Sequence, residues 1–176
     1  TLSSTGVISG TPTVAGPFSF TVKVTDALGA TYTTSGCGIT IGPALTAACA
    51  AAVTGQVGVP YSSPIVVTGG TAPYTFAVFS GALPGGLTLS STGVISGTPT
   101  VAGPVSFTVK VTDALGATYT TSSCGITIAA PLTAACAPGS GKVGVAFTST
   151  IAASGGYPAY TFALATGSLP TSLSMT

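Results

Sequence analysis

Residues 5–17, TGVISGTPTVAGP, return unchanged at residues 92–104. The interval from Thr5 to Thr92 is 87 residues, and Cys37 and Cys49 recur as Cys124 and Cys136 at the same spacing. Beyond Cys136 the offset falls by one, so Gly69, Tyr74 and Pro84 recur as Gly155, Tyr160 and Pro170. A single deletion between Cys136 and Lys142 accounts for that slip. A period of this length suits one small β-sandwich per repeat and is too long for a short solenoid unit. The chain must therefore fold as copies of one unit, and every residue has to make sense at its repeat position.

The phase of the repeat sets the expected domains. Thr1 corresponds to Thr88 and Thr176 to Ser90, so two periods are spanned from mid-repeat to mid-repeat. Domain boundaries fall in linkers, and the best linkers are Gly42-Pro43 and Ala130-Pro131. The reading is the C-terminal half of one unit (1–42), a complete unit (43–130) and the N-terminal half of the next (131–176). Two origins fit: a window on a longer array, or partial domains that complete each other head to tail. The first is simpler, because a split sandwich exposes long unpaired edges.

Only 3% of residues are charged, against about 25% in typical domains. The charges are Lys23, Lys110, Lys142, Asp26 and Asp113, with no His, Trp, Arg, Glu or Asn. A net charge of +1 offers no electrostatic handle for nucleic acid or an anionic membrane. The longest apolar stretch, Ile39 to Val53, is interrupted by Gly42 and Pro43 and falls short of the roughly 18 residues a membrane span requires. Abundant Gly, Pro, Thr, Val and Ser favour strands and turns over helix.

The complete unit reads as about seven short strands. They cover Leu45–Ala51, Tyr61–Thr68, Pro73–Phe79, Leu87–Leu89, Gly93–Ser96, Val105–Asp113 and Tyr119–Ile128. In Pro73–Phe79, Tyr74, Phe76 and Val78 alternate with Thr75 and Ala77. The clearest strand is Val105–Asp113: Val105, Phe107, Val109 and Val111 share one face, and Ser106, Thr108, Lys110 and Thr112 the other. Such a set predicts two packed antiparallel sheets.

The run from Gly69 to Gly116, GGTAPYTFAVFSGALPGGLTLSSTGVISGTPTVAGPVSFTVKVTDALG, carries a family resemblance. It resembles the immunoglobulin-like (He-PIG, cadherin-like) repeats of large bacterial surface and secreted proteins. Their form is GG-x-PYT-F, LPxGLTL, TGxIxGTPTxAG and a strand ending VTD. The resemblance covers essentially the whole chain in permuted phase. It implies tandem immunoglobulin-like antiparallel β-sandwich domains, and a role as stalk, spacer or adhesive arm.

Cys49 is in phase with Leu45 and Ala47, and Cys124 with Ile126 and Ile128, so both face the core. The first and last strands neighbour each other in immunoglobulin-like sandwiches, which makes Cys49–Cys124 within one domain the preferred disulfide. The rival joins Cys37 to Cys49 and Cys124 to Cys136 across each linker. Twelve extended residues span about 40 Å, whereas bridged Cα atoms lie within about 7 Å, so the rival needs the chain to double back. On the preferred pairing Cys37 and Cys136 have their partners in adjoining half-domains. The remaining reading is four buried free thiols.

Other motifs carry less. Without C-x-x-C or His, a zinc site is disfavoured. Asp26 and Asp113 end VKVTD strands, but one carboxylate per domain is thin for calcium, and turn capping before Ala-Leu-Gly explains them. Gly139-Ser140-Gly141-Lys142-Val143-Gly144 lacks the Ser or Thr of a phosphate loop, and the previous repeat has Gln56 in place of Lys142. Nucleophilic catalysis lacks a base, and paired-carboxylate chemistry lacks a pair. Lys23 and Lys110 sit on outward strand faces. Tyr61, Tyr74, Tyr119, Tyr157 and Tyr160 offer aromatic faces for a sugar, but core or sheet packing explains them better. The Gly and Pro residues of 92–104 read as backbone punctuation, with Val94 and Ile95 as a small apolar anchor.

No catalytic residue, metal ligand or cofactor is therefore assigned. The expectation is a structural, extracellular repeat protein, forming a fibre, filament or stalk by self-association of identical units through uncharged faces and sheet edges. The alternative is an adhesin arm or carbohydrate-binding spacer of a larger secreted protein, with a glycan as its unassigned ligand. A third class is the accessory region of an enzyme.

Overall fold

The computed structural model describes residues 2–50, 53–137 and 139–175. Ala51, the expected end of the first strand, and the terminal residues Thr1 and Thr176 lie outside them. Every regular element among the described residues is a strand. The repeat of the sequence is a repeat of structure.

In the complete unit, one sheet runs β5 (Thr46–Cys49), β7 (Tyr61–Thr68), β10 (Val94–Gly97), β9 (Leu87–Leu89). The facing sheet is built on β11 (Gly103–Thr112). One edge of β11 pairs with β8 (Thr75–Gly81). Its other edge pairs with β13 (Cys124–Ala129) and then β12 (Thr118–Thr120). Beyond β13 lies β6 (Val53–Gln56), paired in parallel.

The alternation in β11 does what its sequence requires: Phe107, Val109 and Val111 are buried, the last two at 0% exposure. They pack with Ile126 and Ile128 of β13 against Leu45, Ile65, Leu87 and Ile95 from the opposite sheet. Each such burial contributes roughly 1.5–3 kcal/mol before conformational entropy is charged against it.

Several sequence expectations are corrected. The closing strand Tyr119–Ile128 is two strands, broken at Thr121–Ser123. Thr121 is buried and serves Val109 twice: its Oγ1 accepts from Val109 N at 3.0 Å, and its N–H donates to Val109 O at 2.9 Å. The strand β6 was not foreseen, and its pairing with β13 adds a parallel ladder to the antiparallel sheet. Nor are the first and last strands ladder neighbours, since β5 and β13 lie in opposing sheets. Val78 pairs with the buried Val109 yet is 37% exposed, because β8 is an edge strand, and just beyond it a bulge leaves Phe79 out of the ladder. Ile95 is deep core, not a minor anchor, and Pro99 behind it is fully buried. The stretch 98–102 carries the chain from one sheet to the other.

Flanking strands repeat these registers. β1 (Gly16–Phe20) pairs with β4 (Cys37–Ile41) as β11 pairs with β13, with Phe20 opposite Cys37 and Phe107 opposite Cys124. β2 (Lys23–Thr25) and β3 (Thr31–Thr33) repeat the β11–β12 hairpin. β14 (Thr133–Cys136) pairs with β15 (Ile151–Ser154) as β5 pairs with β7. In these units the core-facing residues are open: Phe18, Ile39 and Ile151 are exposed, while Phe20 and Ile41 are half-buried.

The contrast is measurable by denaturant unfolding. Phe107→Ala is expected to cost about 3–5 kcal/mol, as for a large buried aromatic. Phe20→Ala, at the same repeat position, is expected to leave the unfolding of the complete unit unchanged.

Candidate functional site

Three constructions hold the complete unit and its junction: an inter-sheet disulfide, a carboxylate-centred loop and a tyrosine at the linker. The structure joins Cys49 of β5 to Cys124 of β13, with Cα atoms 5.8 Å apart. The bond crosses the core between the two sheets and closes a sequence separation of 75 residues, a loop for which cross-linking stabilises by about 2–4 kcal/mol. The Thr121 hydroxyl lies 3.4 Å from the Cys124 sulfur. Cys37 is free and half-buried, and Cys136 is free and exposed. Cys37 keeps the same surroundings as Cys124: Thr34 Oγ1 lies 3.5 Å from its sulfur and accepts from Val22 N at 2.9 Å.

Asp113 is buried beneath the loop that follows the Gly69-Gly70 turn. Its Oδ2 accepts from Thr71 N at 2.9 Å, and its Oδ1 accepts from Leu115 N at 3.0 Å and Ala117 N at 2.8 Å. The Thr71 N–H first, and then the N–H groups of its own turn, hold the carboxyl below the usual carboxylate range against the opposing effect of burial. Both glycines are required here. A Cβ on Gly69 (φ +68°) would lie 2.0 Å from Ala44 O, and one on Gly70 (φ +65°) would crowd Leu45 and the Asp113 carboxylate. The Tyr74 hydroxyl then donates to Gly69 O at 2.9 Å, as Tyr160 does to Gly155 O. The GG-x-PYT motif is thus a fold device. Asp26 makes the same turn, accepting from Leu28 N and Ala30 N.

At the second linker, Gly156 N donates to Ala130 O at 2.8 Å, and the Tyr157 hydroxyl lies 3.3 Å from Gly55 O and 3.2 Å from Thr127 O. Tyr157 therefore docks the third unit onto β6 and β13 of the complete one. Sequence reasoning placed it with four other tyrosines and missed this role. Its repeat equivalent is Thr71, and that difference between copies was the available signal.

The other candidates do not converge. Tyr61 is buried on β7, Tyr119 lies on β12 and Tyr157 at the linker, so no common platform forms. Burial pushes the Tyr61 phenol up, and the neighbouring Ser63 opposes this without closing a well-formed hydrogen bond to the hydroxyl. Lys23 is exposed on β2, and Lys110 is half-buried on β11. Among the described residues there is no group of three or more His, Cys, Asp or Glu side chains that would hold a metal, and no helix is long and apolar enough to cross a membrane. The glycine-rich run 139–144 lines an open groove of about 900 Å³ with Phe147, Pro170 and Leu173. A second hollow, of about 410 Å³, is lined by Pro12, Val14, Phe18, Phe20, Ile39 and Ile41.

The family described as "Putative Ig domain" matches residues 1–42 and 43–129, and the chain belongs to that immunoglobulin-like family. It is a structural class and generally non-enzymatic. Such domains, together with a disulfide, are typical of extracellular proteins. No curated protein matches the chain. Among solved structures, a "putative alpha-galactosidase" from Bacteroides fragilis is 26% identical with a TM-score of 0.39, over 48% of this chain and 17% of that one. The chain thus corresponds to less than a fifth of that protein's length.

Two measurements probe this architecture. Cys49→Ser is expected to lower stability by about 2–4 kcal/mol in denaturant titration, and reduction of the wild type should match it. Because the Asp113 carboxyl is depressed in the folded state, its contribution is present above the ordinary carboxylate pKa and is lost as pH falls through the lower folded value. The melting temperature is therefore expected to drop on acidification below about pH 4, and Asp113→Asn to be less stable at neutral pH with a flatter acid limb.

Proposed function

We propose that this protein is a structural element of an extracellular fibre or stalk, built by tandem and lateral packing of immunoglobulin-like units. The observation that carries this reading is the outer surface of the complete unit. Residues 43–130 contain two charges, Lys110 and Asp113, and Asp113 is buried. That leaves one lysine to oppose association. The same surface exposes Val66, Phe79, Val101 and Leu115, the last at 80% exposure, and its equivalent Leu28 is exposed at 95%. Near-zero charge with dispersed apolar side chains favours contact between copies.

The remaining features support the same reading. Cys49–Cys124 staples the unit, and the Pro-containing linker is fastened by Tyr157. Recurrence of Lys23 as Lys110 and of Asp26 as Asp113 at their repeat positions fits a building block better than a grafted site.

Electron microscopy of the purified chain over rising concentration tests the reading, with elongated, laterally associating particles as the expected outcome. A variant carrying Val66→Lys, Phe79→Lys and Leu115→Lys is expected to lose lateral association while each exposed substitution changes stability by no more than about 0.5 kcal/mol. Particles that stay single and bead-like at every concentration would sink it. Retention on a glycan array would favour a binding module instead.

A further inference from the structure

We infer that the complete unit is built to carry tension along its length, with the Cys49–Cys124 bond taking the pull and the parallel β6–β13 ladder as its reserve. This rests on the stalk reading above for its purpose, and on the geometry of residues 43–130 for its mechanism.

The two linkers leave the unit at opposite ends. At the entry end, Gly70 N donates to Pro43 O at 3.0 Å, and Gly70 lies against Leu45 and the Asp113 carboxylate. At the exit end, Val57 N donates to Ala129 O at 3.0 Å, and Tyr61 and Ile128 meet over Gly55. β11 sets the order between these ends: Gly103 stands opposite Ile128 and Phe107 opposite Cys124, and Thr112, next to Asp113, lies beyond. β7 repeats that order in the facing sheet, running from Tyr61 at the exit end to Thr68, opposite Thr46, at the entry end. Cys49 and Cys124 lie between. The chain therefore enters along β5, meets β13 at the disulfide and leaves along β13 in the same direction.

Tension follows covalent bonds before hydrogen bonds. A pull on the linkers runs through residues 43–49, the S–S bond and residues 124–130, most of which are strand and so already extended. Residues 50–123, which hold β6 to β12, lie on the closed loop outside that path. The sequence separation of 75, at about 3.3–3.6 Å per residue, keeps roughly 250–270 Å of chain from being drawn out.

Without the bond the same pull falls on hydrogen bonds. β6 and β13 then take it in shear, because they are parallel and are drawn from opposite ends. The load is shared over the ladder from Val53↔Ile126 to Gln56↔Ala129. Tyr157 of the following unit braces that ladder, with its hydroxyl 3.3 Å from Gly55 O on β6 and 3.2 Å from Thr127 O on β13.

The test pulls single copies of the 176-residue chain by DNA handles attached to azide-bearing residues placed at Gly42 and Pro131, just outside the unit. Between those points the oxidised chain has roughly 50 Å outside the cysteine loop. A path that is already straight is expected to lengthen by under about 10 Å, with no step. Pre-reduced wild type and Cys49→Ser are expected to add one step of roughly 250–270 Å. In the Cys49→Ser background, Tyr157→Phe is expected to unfold roughly fivefold faster at the same force, as for loss of one ordinary hydrogen bond. A step of roughly 40 Å or more in the oxidised chain would mean that both linkers leave from one end, and it overturns the path. That measurement decides the path whether or not Cys49→Ser folds. A folded Cys49→Ser unit that extends without a step, or that unfolds no faster with Tyr157→Phe, overturns the reserve. Pulling single molecules is independent of association. A taut unit in a chain that stays monomeric by electron microscopy upholds the path and counts against the fibre. Filaments whose oxidised units lengthen stepwise overturn the path and leave the fibre reading standing.

Discussion

The contact between the β11–β13 face and the β5–β7–β10 face is what the remainder depends on. Phe107, Val109, Val111, Ile126 and Ile128 are buried only because a second sheet covers them. On β1 and β4 the equivalents Phe20, Ile39 and Ile41 keep the same ladder and register and are half-buried or exposed. The ladder register thus recurs between copies, whereas burial of the apolar face needs a second sheet to cover it. In this fold pairing within a sheet is local, while stability is a property of two sheets from distant parts of the chain.

That separation explains what could be read in advance. Periodicity found β11 because one face is apolar and the other hydroxylic along its length. The cysteine pair was readable because Cys49 and Cys124 share phase with core residues, although opposing sheets, not a shared ladder, bring them together. β6 was not readable: Val53–Gln56 is short and glycine-containing, and its parallel pairing with β13 is decided by tertiary placement. The break at Thr121 was invisible for a related reason. A threonine amid Thr, Tyr and Ser looks like continuous strand until its hydroxyl is seen to replace a ladder partner. Val78 keeps its inward phase opposite Val109 but is part-exposed at the sheet edge, and the bulge at Phe79 resets the alternation only for the residues beyond it.

Among candidate sites, the glycines and Asp113 were legible as turn chemistry, since Gly69-Gly70 and a strand-ending aspartate have strong local preferences. Tyr157 was not, because its role lies across a linker. The two linkers also differ. Tyr157 reaches back to Gly55 and Thr127, whereas the equivalent residue in the complete unit is Thr71, whose N–H is engaged by Asp113. Units of like register are therefore joined differently, and Tyr157 in place of Thr71 marks the second linker.

The scarcity of charge has a consequence for durability. Trypsin-like proteases require a lysine or arginine in an extended, accessible segment. The complete unit offers only Lys110, and that residue is paired with Ala77 on one side and Thr120 on the other, at the centre of its sheet. Cleavage there must wait for the sandwich to open, so its rate follows the unfolding equilibrium or the unfolding rate and not surface access. A unit composed this way gives up the solubility that charges provide and, while folded, resists cleavage by trypsin-like proteases.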